Sequence, residues 1–138
     1  MRFFKTSTQD NDLPGLESLE PSERDRVLEV GRVVHIPGGW SAIHDREPAD
    51  EAYLVLEGTM RVDSDGEHVA DIGPGSFAGE MGLVDRKLRN ARVTTVGDVT
   101  ALAFPRADFQ SLCTEVSSFD DVVRRSTQER HVAGSQDI

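Results

Sequence analysis

Between Val30 and Phe104 the chain is cut at short intervals by glycine-containing breaks: Pro37-Gly38-Gly39, Glu57-Gly58, Asp65-Gly66, Gly73-Pro74-Gly75 and Gly97-Asp98. The stretches left between them, Gly31–Ile36, Glu51–Leu56, Met60–Ser64, Glu67–Ile72, Ala91–Val96 and Val99–Phe104, are too short for stable helices and read as strands. Asp65-Gly66 is the sharpest signal, because a two-residue hairpin turn asks for positive φ at both central positions. It should join Met60–Ser64 to Glu67–Ile72. Short strands punctuated in this way build antiparallel sheets, and the expected fold is mainly β: an antiparallel β-roll, jelly-roll-like and barrel-shaped.

Helical spacing flanks this region on both sides. Leu13, Leu16 and Leu19 recur every third residue, and Pro21-Ser22 can start a short helix that carries Val27 and Leu28 inward. After the strands, Phe109, Leu112, Cys113 and Val116 share one face at i, i+3, i+4, i+7. Phe119, Val122 and Val123 open a further helix whose remainder, Arg124–His131, is mostly polar. The 138 residues suit one domain. Residues 1–12 are expected to be a flexible lead-in, 13–132 the domain, and 133–138 a disordered tail.

Twenty-five acidic against 15 basic residues leave a net charge of −10, which opposes nucleic acid and anionic lipid. The densest basic stretch, Arg86-Lys87-Leu88-Arg89, is too short to offset it. Cys113 is the only cysteine, so an intrachain disulfide and a C-x-x-C motif are both excluded. It is expected to be a small buried apolar side chain. The N-terminus turns polar before an apolar signal core develops, and a cytoplasmic location is expected.

Several motifs fail on inspection. Gly73, Gly75 and Gly79 miss the G-x-G-x-x-G spacing by one residue, and Ser76 lacks the flanks of a nucleophile elbow. Gly38, His44, Glu51 and Gly58 fall at the spacing of the first motif of the metal-binding cupins. Arg46, however, stands where the second histidine ligand belongs, and a cation is a poor substitute for an N/O/S donor. No metal or cofactor is expected, and no catalytic residue. His35 and His68 read as half-exposed strand residues; Trp40 is either a packing anchor or an exposed ring.

The informative stretch runs from Gly75 to Ala91: GSFAGEMGLVDRKLRNA. Glycines at 79 and 82 let backbone N–H groups approach an anion, and a short helix starting near Gly79 would aim its N-terminus at the same point. Arg89 adds a permanently charged bidentate donor. A carboxylate at Glu80 is unfavourable beside a phosphate unless it binds something else, and a ribose hydroxyl is the natural candidate. Together these residues make the minimum kit for a nucleotide monophosphate.

This arrangement resembles the cyclic-nucleotide-binding domain family, the sensor module of catabolite-activator-type regulators, protein kinase A regulatory subunits and cyclic-nucleotide-gated channels. The family's phosphate-binding cassette reads approximately F-G-E-[LM]-A-L, a short loop, then P-R-[AST]-A. Gly79-Glu80-Met81 matches its first part, and Arg89 follows nine residues after the glutamate. The order of Pro37-Gly38-Gly39, Tyr53–Gly58 and Phe104–Phe109 matches as well, so the likeness extends over about residues 13–130. The resemblance implies that Glu80 binds the ribose 2′-OH and Arg89 the exocyclic phosphate oxygens. Amides near Gly79, Gly82 and Asn90 would complete the cradle up to Ala91, with Met81 against the sugar or base. Gly82, Leu88 and Asn90 depart from the usual Ala, Pro and small or hydroxyl residue; Leu88 frees a loop that Pro would stiffen.

The function expected on this basis is non-enzymatic binding of cyclic AMP or cyclic GMP, signalled to an unidentified effector protein through movement of the C-terminal helix. No helix-turn-helix or kinase segment follows His131, so output is expected in trans, from a monomer in preference to a homodimer. The alternatives are a degenerate fold that serves as a ligand-free protein-interaction scaffold and, more distantly, a cupin-like metal enzyme.

Overall fold

A computed structural model of the chain describes residues 13–43, 51–64, 66–79 and 92–133. In chain order these form α1 (Pro21–Val30), β1 (Arg32–Ile36), β2 (Ser41–Ile43), β3 (Glu51–Glu57), β4 (Met60–Ser64), β5 (Glu67–Ile72), β6 (Phe77–Ala78), β7 (Arg92–Thr95), β8 (Val99–Pro105), α2 (Arg106–Glu115) and α3 (Ser117–Ala133). The strands make two four-stranded sheets, ordered β1-β8-β3-β6 and β2-β7-β4-β5. All their pairings are antiparallel. The jelly-roll character expected from the turns is present, but the two sheets remain separate and do not close into a barrel.

The molecule has three layers: helices, first sheet, second sheet. In β3, Ala52, Leu54 and Leu56 face the helices, and Val55 between them faces the second sheet. In β8, Leu102 and Phe104 face the helices while Val99 and Ala101 face the second sheet. A strand covered on both faces has no solvent side, which is why β8 is buried from Val99 through Phe104. The second sheet has one covered face only, so β4 alternates: Met60 and Val62 point inward, Arg61 and Asp63 outward. Outside, Arg61 Nε donates to Asp63 Oδ1 at 2.8 Å.

β4 and β5 pair on either side of the Asp-Gly signal as expected, with Ser64 opposite Glu67 and Gly66 at φ +83°. The register slips further along, since Val62 faces Ala70 while Asp63 faces His68, so Val69 is left over as a bulge.

Two expectations about elements change. Leu13, Leu16 and Leu19 are fully buried, as their spacing requires, but they do not form a helix. They sit on successive turns, with Leu16 N–H donating to Leu13 O and Leu19 N–H to Leu16 O. Pro14 and Gly15 fall within the first of these turns, and Gly15 must adopt φ +85°. A Cβ there would lie 2.7 Å from Gly75 O, so this loop crosses the β5–β6 turn backbone against backbone. The second change is that β2 and β6, three and two residues long, are strands that the sequence pattern did not reveal.

The helices are joined to one another by polar contacts outside the core. Arg26 of α1 donates through Nε and Nη2 to both carboxylate oxygens of Glu115 in α2, at 2.7 and 3.2 Å. Glu23 of α1 accepts from the Ser118 hydroxyl of α3 at 2.9 Å. At one end of the second sheet, Gly39 N–H donates to Thr95 O, Thr95 N–H to Trp40 O, and Val96 N–H to Thr59 O. Trp40 is held on this turn with its ring exposed, which decides between the two roles open to it.

Candidate functional site

The structure describes the frame of the 75–91 stretch. β6 pairs with β3 through Tyr53↔Ala78 and Leu54↔Phe77, and Val55 N–H donates to Ser76 O at 3.0 Å. Gly79 follows at once with φ +87°, a conformation that costs glycine nothing and strains other residues. The chain is next described at Arg92, the start of β7 in the other sheet, opposite Asp63. Residues 80–91 therefore link the first sheet to the second. Of the residues assigned to ligand contact, Gly79 is placed; Glu80, Met81, Gly82, Arg89, Asn90 and Ala91 lie outside the described residues.

What supports the first end of this stretch is aromatic. Phe77 is fully buried, with its ring edge-on to Phe119 of α3 at 5.8 Å and to Phe109 of α2 at 6.2 Å. Phe104 of β8 completes the cluster, 5.8 Å from Phe119 and 6.1 Å from Phe109. Offset and edge-on rings at such distances gain beyond simple burial. Below them, the Phe77 N–H donates to the Ser126 hydroxyl oxygen at 3.1 Å, inside the protein. Sequence reasoning missed Ser126, which reads as one more polar residue on a polar helix.

The groups considered for other chemistry are engaged elsewhere. Glu51, a ligand position in the cupin spacing, takes Arg32 Nη2 on one carboxylate oxygen and the Tyr53 hydroxyl on the other, both at 3.2 Å. His44 lies outside the described residues, and among the described residues no three His, Cys, Asp or Glu side chains gather as a metal site. His35 Nδ1 is 3.2 Å from the Thr100 hydroxyl, and His68 Nε2 is 2.8 Å from Asp71 Oδ1; both histidines are exposed on their strands. Cys113 is half-buried, and burial, reinforced by the neighbouring Asp120 carboxylate, pushes its thiol up to about 12. A thiol so protonated is no nucleophile at neutral pH. No helix among the described residues is long and apolar enough to cross a membrane.

Comparison with known proteins agrees with this geometry. The family model for the cyclic nucleotide-binding domain matches residues 33–116, from β1 to the end of α2. A cyclic nucleotide-gated potassium channel of Mesorhizobium japonicum is 29% identical over 123 residues, which is 89% of this chain and 34% of the channel. The catabolite activator protein of Thermus thermophilus superposes with a TM-score of 0.75 at 26% identity, over 90% of this chain and 61% of that one. The regulatory domain of Toxoplasma gondii protein kinase A, solved with cAMP, gives a TM-score of 0.71 at 23% identity, over 86% of this chain and 47% of that one. The chain thus spans about a third of the length of the curated relatives it matches. With its three layers, its strand order and the matched segment taken together, the chain belongs to the cyclic nucleotide-binding domain family.

Proposed function

We propose that this chain is a non-enzymatic sensor that binds a cyclic nucleotide at residues 79–91 and passes the event to a partner protein through α3. Family membership carries the reading, and two features support it: Gly79 at positive φ where the cassette begins, and a cassette that links the two sheets. Glu80 takes the ribose 2′-OH and Arg89 the exocyclic phosphate oxygens. Amides near Gly79, Gly82 and Asn90 line the cradle, and Met81 and Ala91 pack beside it. Cyclic AMP is favoured as a ligand by its presence in the related Toxoplasma structure. The amide of Asn90 can donate or accept, so cyclic GMP should bind within about tenfold, the range that one ordinary hydrogen bond can discriminate.

α3 suits the role of responder. Its first two turns are anchored by Phe119, Val122 and Val123, whereas the sequence Thr127–His131 is polar. Ligand contacts that add to this marginal packing shift the helix between docked and undocked populations.

The test is titration calorimetry of the chain and its Arg89→Ala variant with cyclic AMP and cyclic GMP. Binding to the unaltered chain is expected, and the variant should lose about 3–5 kcal/mol, the cost of leaving a partly buried charge without its partner. That corresponds to roughly a hundred- to several-thousandfold in affinity. Absence of heat with both nucleotides would leave the ligand-free scaffold as the better reading; equal affinity in the variant would remove Arg89 from the phosphate site.

A further inference from the structure

We propose that Ser126 is a positioning residue for the nucleotide cassette, its hydroxyl fastening the strand that leads into the cassette directly to α3. The inference deepens the nucleotide-binding reading and rests on it for its affinity arm. β6 is only two residues long and, among the described residues, lies at the edge of its sheet with β3 as its one strand neighbour. On the side away from β3, the Phe77 N–H meets the Ser126 hydroxyl oxygen at 3.1 Å. Phe77 is separated from Gly79, the first cassette residue, by Ala78 alone.

The choice of residue at 126 is itself informative. Phe119, Val122, Val123 and Ser126 stand at i, i+3, i+4 and i+7, so Ser126 continues the buried stripe of α3. An aliphatic residue would serve packing better there. A hydroxyl on that stripe is tolerated because it is satisfied, and here it is satisfied by a strand 49 residues earlier in the chain. The same bond reaches the α3 turn that carries Ser126, and the sequence after it, Thr127–His131, is polar. Cassette position and helix docking thus share one hydrogen bond, and a change in either is felt by the other.

The experiment compares Ser126→Thr with Ser126→Val, two side chains of nearly equal shape that differ in the hydroxyl, with Ser126→Ala as a third variant that adds no bulk. Amide exchange followed by NMR without nucleotide reads the fastening itself. The Phe77 amide should exchange about two- to tenfold faster in the Val and Ala variants than in the Thr variant, measured relative to the Val62 amide in the other sheet. A general loss of stability would speed both amides equally and would overturn the proposal, as would an unchanged Phe77 rate. Calorimetry with cyclic AMP then reads positioning: affinity should weaken by a similar factor in Val and Ala and be retained in Thr. Faster exchange with unaltered affinity overturns the positioning role while leaving the bond in place. Failure of the unaltered chain to bind either nucleotide defeats the parent reading and the affinity claim with it, whereas the exchange arm still decides whether Ser126 fastens β6.

Discussion

The two interiors of this protein differ in kind. Between the helices and the first sheet lie four phenylalanines, Phe77, Phe104, Phe109 and Phe119, with Phe109 and Phe119 each in ring contact with the other three at 5.8–6.2 Å. Between the two sheets the buried side chains are aliphatic: Val55, Met60, Val62, Ile72, Ala78, Val93, Val99 and Ala101. Rings meeting edge to face are orientation-dependent, so the first layer specifies how α2 and α3 sit on β6 and β8. Small aliphatic side chains packed between sheets specify much less beyond spacing and register. Both layers reach the cassette strand, the aromatic one at Phe77 and the aliphatic one at Ala78, but only the first packs directionally.

The contrast is easiest to break at Phe119, which contacts the other three rings. Phe119→Ala should cost about 3–5 kcal/mol, read as a lower urea midpoint, because it removes a large buried ring and leaves a cavity among neighbours that cannot collapse onto it. In the aliphatic layer, Ile72→Val should cost only about 0.5–1.5 kcal/mol. It should also leave nucleotide affinity unchanged, since Ile72 belongs to the inter-sheet cluster and not to the phenylalanine cluster against α2 and α3. If the valine variant altered affinity, the two layers would not be functionally distinct.

The smallest effect should come from the polar clamp around the helical layer. The hydrogen bonds from Arg26 hold the Glu115 carboxyl below the usual carboxylate range. A carboxyl depressed in the folded state contributes stability above its ordinary value and loses it as pH falls through the folded value. Glu115→Gln should therefore lower the urea midpoint slightly near neutral pH, and the difference should fade below about pH 4, the ordinary range of a glutamate. Both side chains are nearly half-exposed, so added salt should shrink the difference as well. A difference that persists in acid would mean Glu115 acts by packing.

Much of this was legible in the sequence, for identifiable reasons. Turn chemistry is local, so Asp65-Gly66 placed β4 and β5, while the strand-to-helix exit at Phe104–Phe109 was legible through the family resemblance. The buried faces of α2 and α3 followed from spacing, with Phe109, Leu112, Val116, Phe119, Val122 and Val123 all inside. β2 and β6 escaped because two or three residues carry no period; their strand character comes from partners at Thr94 and Leu54. Leu13, Leu16 and Leu19 misled because a three-residue repeat suits linked turns as well as a helix. At the site, Gly79, Glu80 and Arg89 stood out by chemistry that needs no neighbours to interpret. Ser126 did not, since its meaning depends on a backbone group that only the folded chain brings to it.

The turn that holds Trp40 has an optical consequence. Trp40 is the chain's only tryptophan, and its ring is 61% exposed in the native fold. It projects from the end of β7 opposite to the one where the cassette rejoins the sheet. A ring so exposed should already emit much as an indole in water does, so unfolding should move the emission maximum little. A nucleotide bound at residues 79–91, as proposed, should move it little too. A shift to shorter wavelength in this protein would therefore report neither folding nor ligand but a second macromolecule covering that turn, which makes Trp40 a built-in detector for contacts remote from the proposed nucleotide site.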